Sequence, residues 1–132
     1  MKIFIIEDDS AWSAYYRGLL KLERLEFFQN GVDAVNALAD AEVADSLPSL
    51  IILDLLLTGP SGFAVLNELQ SYPNLAKIPV VLVSSVAIPQ LDNAALAEYG
   101  VVACLDKAKM LPDDILNLVA RYKQEADDGG AL

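Results

Sequence analysis

The chain has 132 residues, 55% hydrophobic and 21% charged, which suits one domain with a continuous core. A net charge of −10 with nine basic residues excludes the basic patch that direct nucleic-acid binding needs. One cysteine, Cys104, and no histidine exclude an internal disulfide, a multi-cysteine metal site and imidazole chemistry.

In chain order, Ile3-Phe4-Ile5-Ile6 is a short apolar run of the kind a buried parallel strand needs. It passes straight into Glu7-Asp8-Asp9, unlike a secretory leader. No apolar run reaches the ~18 residues of a bilayer span, so a cytoplasmic protein with no membrane partner is expected. Asp9 or Ser10 caps the next helix, where Trp12, Tyr15, Tyr16, Leu19 and Leu20 share one face. That stripe reads as core packing rather than as a ligand surface.

Leu25 to Gln29 is expected as the second strand, and Asn30 as the cap of a helix with Ala34, Val35 and Leu38 inward. Leu50 to Leu53 is a third strand, apolar on both sides and therefore central. Thr58-Gly59-Pro60-Ser61-Gly62 is a loop, and Ser61 caps a helix with Val65, Leu66 and Leu69 inward. Tyr72-Pro73-Asn74 breaks that helix, and Val80 to Val83 follows as the fourth strand. A helix from about Gln90 to Tyr99 stops at Gly100, and Val101 to Leu105 is the fifth strand. Pro112 opens the last helix, with Asp113 and Asp114 at its positive end and Arg121 and Lys123 in its last turn. Residues 1–124 thus form one domain, and residues 125–132 are expected as a flexible tail. The alternation predicts an α/β fold, a doubly wound five-stranded parallel sheet with five helices.

In such a sheet, chemistry gathers beyond the carboxyl ends of the strands. Strand one ends in Glu7-Asp8-Asp9, strand three in Asp54, strand four in Ser84-Ser85, and strand five near Lys107. Glu7, Asp8 and Asp54 close together would repel one another, and a hard divalent cation relieves this. Oxygen ligands alone favour Mg²⁺, or Mn²⁺ in its place, over zinc. With a metal bound, Asp54 can stay ionised and act as a nucleophile toward a phosphoryl group. Lys107 and the Ser84 hydroxyl can then offset charge on the moving oxygens. Each residue has a plainer role open to it: an acidic loop, a strand-end serine, a surface lysine. Asp54 is the hardest to dismiss, because a charge amid Leu50 to Leu57 needs a reason.

These segments, together with Ser61-Gly62 and Ile78-Pro79-Val80-Val81-Leu82-Val83-Ser84-Ser85, resemble the receiver domains of bacterial response regulators from Lys2 to about Lys123. The resemblance implies a flavodoxin-like sheet of order 2-1-3-4-5 and a stand-alone module of two-component signal transduction. It implies that Asp54 is the phosphoacceptor. Asp8 is implied as a direct metal ligand, Glu7 as one acting through a metal-bound water, and the Leu56 backbone carbonyl as a further ligand. Ser84, with Ser85 beside it, takes the switch position, and Lys107 takes the family's lysine position. A histidine kinase or phosphotransfer protein would donate the phosphoryl group. A downstream protein partner would read it through the face of the fourth helix, fifth strand and fifth helix, with homodimerisation on activation left open.

Four positions depart from the family pattern. Cys104 replaces the usual Tyr or Phe of the switch and reads as a buried small hydrophobe rather than a redox sensor. Ala108 replaces the proline after the lysine, so that loop is expected to take a different shape. Thr58 replaces a proline after Asp54, and the stretch from Leu20 to Asn30 is about two residues short. Apolar Leu56 and Val86 flank the expected phosphoryl position, which predicts slow loss of phosphate. A pseudo-receiver that no longer switches is the alternative. A hydrolase using Asp54 and Thr58 lacks its second acidic residue, and no GxxxxGK[ST] or GxGxxG marks a nucleotide site. The chain is therefore not expected to be an enzyme beyond its own phosphorylation and dephosphorylation.

Overall fold

The computed structural model describes residues 1–57, 61–85 and 93–130. Five strands and five helices alternate along them. They are β1 (Lys2–Ile6), α1 (Ser10–Leu19), β2 (Arg24–Phe28), α2 (Gly31–Val43) and β3 (Leu50–Asp54). Then come α3 (Gly62–Gln70), β4 (Val80–Ser84), α4 (Asn93–Glu98), β5 (Val101–Asp106) and α5 (Pro112–Gly130). Every strand pair is parallel, in the order β2-β1-β3-β4-β5.

Burial along each strand follows its place in the sheet. All five residues of β3 and of β4 are buried, because helices cover both faces of a central parallel strand. The edge strand β5 alternates between covered and exposed positions after Val101, and no residue of edge strand β2 is fully buried. Two cores result. On one face Phe4, Ile6, Ile51, Leu53 and Leu82 pack with Leu38 of α2 and Leu66 and Leu69 of α3. On the other, Ile3, Ile5, Ile52 and Val83 pack with Tyr16 of α1 and Ile115 and Val119 of α5. Successive residues of one strand serve opposite cores, as the pleat requires.

The helix starts match the caps read from the chain. The Asp9 side chain accepts from the Ala11 N–H at 2.8 Å, Asn30 from Asp33 at 2.9 Å, and Ser61 from Ala64 at 3.4 Å. Gly100, at φ +75°, ends α4 in the left-handed region. The last helix differs from expectation. It continues to Gly130, so residues 125–130 are helical and Arg121 and Lys123 lie well inside it. Both have partners there: Arg121 pairs with Glu125 one turn on, and Lys123 with Glu23 at 3.0 Å. Thr58, Val86 and the expected helix start near Gln90 lie outside the described residues.

The loop after β3 returns tightly on the sheet at Gly62. Its N–H donates to the Leu55 carbonyl at 3.1 Å. A Cβ there would lie 2.7 Å from the Asp54 carbonyl oxygen and 2.8 Å from Leu55 Cα. Both are backbone atoms that cannot swing aside. Gly62→Ala is therefore expected to cost about 1–3 kcal/mol, seen as a lower urea midpoint with an unchanged slope.

Candidate functional site

The strand order reverses its sense at β1, with β2 on one side and β3 on the other, which opens a crevice at the carboxyl ends of β1 and β3. Into it β1 delivers Glu7 and Asp8, β3 Asp54, β4 Ser84, and β5 the turn bearing Lys107. The backbone joins these ends directly. The Lys107 N–H donates to the Ser84 carbonyl at 2.9 Å, and the Leu55 N–H to the Val83 carbonyl at 3.2 Å.

Glu7, Asp54 and Ser84 are buried, whereas Asp8 is exposed at the rim. One carboxylate oxygen from each of Glu7, Asp8 and Asp54 lies within 4.8 Å of the others. Lys107 closes the set, donating from Nζ to Glu7 Oε1 at 2.8 Å and to Asp54 Oδ2 at 2.9 Å. Only 9% of its side chain is exposed, so it is not a surface lysine. The other Asp54 oxygen accepts from the Leu56 N–H at 2.9 Å.

Burial and the neighbouring Asp54 carboxylate push the Glu7 carboxyl up to about 7, against the opposing pull of Lys107. Burial alone would lower the Lys107 pKa, but its bonds to Glu7 and Asp54 outweigh that and raise it. Tyr16 beneath the site is raised by burial and by the Glu7 and Asp54 charges. Three carboxylates around one ammonium leave an excess of negative charge, and oxygen donors of this kind suit a hard divalent cation.

Comparison with known proteins meets this geometry independently. Residues 3–120 match the response regulator receiver domain. The chain belongs to that family.

Among its relatives, PleD of Caulobacter vibrioides is 33% identical over 92% of this chain and 25% of that protein. Rcp1 of Synechocystis sp. is 32% identical over 84% of this chain and 79% of that protein. The crystal structure of the Mn²⁺-bound form of Rcp1 matches with a TM-score of 0.68 over 85% of this chain and 84% of that chain, at 32% identity. The phosphorylated cyanobacterial phytochrome response regulator RcpA matches with a TM-score of 0.72 over 89% and 87%, at 28% identity. The chain spans between 25% and 79% of the curated relatives it matches.

Within the receiver frame, the structure brings Glu7, Asp8, Asp54 and Lys107 together at the crevice, and Ser84 stands buried at the neighbouring strand end. Ser85 is exposed beside it. The Leu56 side chain is half exposed at the rim. Lys107 reaches both carboxylates although Ala108 follows it through a trans peptide.

Cys104 is a correction: its side chain is exposed, not buried. It lies on edge strand β5, where Val102, Cys104 and Asp106 all point outward. The protein packed around it still pushes the thiol pKa up, which keeps it protonated rather than a reactive thiolate. Trp12 packs against the core as its helical spacing predicts, but the sequence did not show its contact with Lys107. Its ring centroid lies 5.0 Å from Lys107 Nζ. The available signal was its place on the first turn after the acidic end of β1.

The raised Glu7 carboxyl fixes a sign. The folded chain binds this proton more tightly than the unfolded chain, so the associated stability is complete below about 4.5 and lost as pH rises through about 7. Without divalent cations, melting temperature is expected to fall between pH 5 and pH 8. Glu7→Gln should flatten that slope and stabilise the protein at pH 8 by on the order of 1–2 kcal/mol. Added Mg²⁺ should raise the wild-type melting temperature more at pH 8 than at pH 5, because it needs the ionised carboxylates. Calorimetry with and without EDTA checks all three.

Proposed function

We propose that this receiver accepts a phosphoryl group on Asp54 from a histidine kinase or His-phosphotransfer protein and passes the signal on by protein–protein contact. The observation that carries this is the pairing of a buried carboxylate with a partly buried lysine inside an acidic cluster. A purely structural ion pair would not need two further carboxylates beside it.

In this reading Asp8, Asp54 and the Leu56 carbonyl would hold Mg²⁺ or Mn²⁺ directly, and Glu7 would act through a metal-bound water. The metal supplies positive charge to the phosphoryl oxygens when bound. An Asp54 carboxylate oxygen attacks phosphorus while the bond from phosphorus to the donor's imidazole nitrogen breaks. The Lys107 ammonium neutralises one phosphoryl oxygen, and the Ser84 hydroxyl donates to another. In this reading the module catalyses its own phosphorylation and dephosphorylation and turns over no separate substrate. No helix among the described residues is long and apolar enough to cross a membrane, and the reading places the chain in the cytoplasm beside its kinase.

Output is assigned to the face of α4, β5 and α5, toward a protein partner or a second copy of the chain. There Leu96, Ala97 and the β5 segment from Val101 to Cys104 line a shallow apolar groove. Exposed Val102 and Cys104 give it apolar surface to bury. Cys104 in place of an aromatic ring favours a second reading, a pseudo-receiver that binds its partner without switching. Mg²⁺-dependent phosphorylation separates the two.

Acetyl phosphate with Mg²⁺ is expected to add one phosphoryl group to the intact mass, with Asp54→Asn and EDTA samples unchanged. The added group should persist through repeated measurement, because apolar Leu56 and Val86 offer no polar side chain to orient an attacking water. Decay within seconds would contradict the slow-loss expectation. Failure to bind beryllofluoride as well as phosphate would favour the pseudo-receiver.

A further inference from the structure

A divalent cation held by Glu7, Asp8 and Asp54 would contend with Lys107 for the same oxygens. Lys107 Nζ lies 2.8 Å from Glu7 and 2.9 Å from Asp54. A divalent ion in the cluster would draw on those carboxylates, on Glu7 through water, and would repel the ammonium. Lys107 has a third neighbour that a metal cannot claim. The Trp12 ring centroid is 5.0 Å from Nζ, inside the ~6 Å range over which an aromatic face attracts a cation.

Trp12 is also held in place. Tyr15 meets it edge-on with centroids 5.3 Å apart, and Tyr16 lies 6.1 Å away. Tyr16 is itself fully buried, and Trp12 packs against the same core. The indole is therefore a fixed surface at the mouth of the site. Its indole nitrogen is a donor only, with no lone pair to offer a hard cation, so the ring does not bind the metal.

We propose that Trp12 is a positioning residue whose ring holds the Lys107 ammonium over the pocket once the metal has taken the carboxylates, ready for a phosphoryl oxygen on Asp54. The role rests on the phosphoacceptor reading and adds to it a residue on α1.

Beryllofluoride affinity in saturating Mg²⁺, read by fluorine NMR, tests this on the full chain. The set is wild type, Trp12→Leu, Trp12→Phe, Lys107→Met and the Trp12→Leu/Lys107→Met double variant. Trp12→Leu is expected to weaken binding roughly fivefold to thirtyfold. Trp12→Phe should recover much of the loss, because a phenyl face also attracts the ammonium. On the Lys107→Met background, Trp12→Leu should change nothing further. Equal losses on both backgrounds would mark general damage to α1 and overturn the role. Wild-type binding with an undiminished Trp12→Leu affinity would overturn it as well. No binding by wild type would instead overturn the phosphoacceptor reading, and the role of Trp12 with it.

Discussion

The contact between the Lys107 ammonium and the carboxylates of Glu7 and Asp54 is the constraint on which the site depends. Two acids are buried at adjacent strand ends, where desolvation and mutual repulsion both oppose their charges. The lysine brought by the turn after β5 offsets part of that cost. It does not neutralise the cluster, because Asp8 adds a third carboxylate at the rim. The surplus negative charge makes the site receptive to a divalent cation, and it also makes the apo state sensitive to pH. Lys107 is hydrogen-bonded on one side and faces an aromatic ring on the other. Its hold on the pocket can thus loosen at the carboxylates without being lost altogether.

The fold serves this contact by topology. Parallel pairing sends all five strand ends to one edge, and the reversal at β1 leaves room above β1 and β3. Gly62 lets the loop after Asp54 lie against the strand it has just left. The bond from the Lys107 N–H to the Ser84 carbonyl carries the lysine back over β4 toward Asp54. Phosphoryl binding would draw on these same short links, so a change at Asp54 bears at once on the ends of β4 and β5.

Much of this was legible in the chain because the signals were strong. Leu50-Ile51-Ile52-Leu53 followed at once by Asp54 can hardly be other than a central strand with a charge at its tip, and β4 reads the same way. The caps at Asp9, Asn30 and Ser61 were readable because their side chains have few better uses. What was missed depended on neighbours in space. The segment Val101-Val102-Ala103-Cys104-Leu105 is apolar throughout, so sequence cannot say which side faces out. Its edge position in the sheet decides that, and it exposes Cys104. The polar stretch after Lys123 looked like a tail, yet Arg121 and Glu125 pair across a helical turn and the helix runs on. Trp12 was seen as packing, and it does pack; its second face meets a lysine 95 positions away that no local pattern could reveal.

Mg²⁺ affinity of the Lys107→Met variant against wild type tests the balance most directly. It can be titrated by calorimetry, or by the fluorescence of Trp12, the chain's single tryptophan. If ammonium and metal share the Glu7 and Asp54 oxygens, removing the ammonium leaves the carboxylates uncompensated and Mg²⁺ binds more tightly than in wild type. Equal or weaker binding in the variant would show that the lysine and the metal do not contend for these groups, and would contradict a site built on that competition.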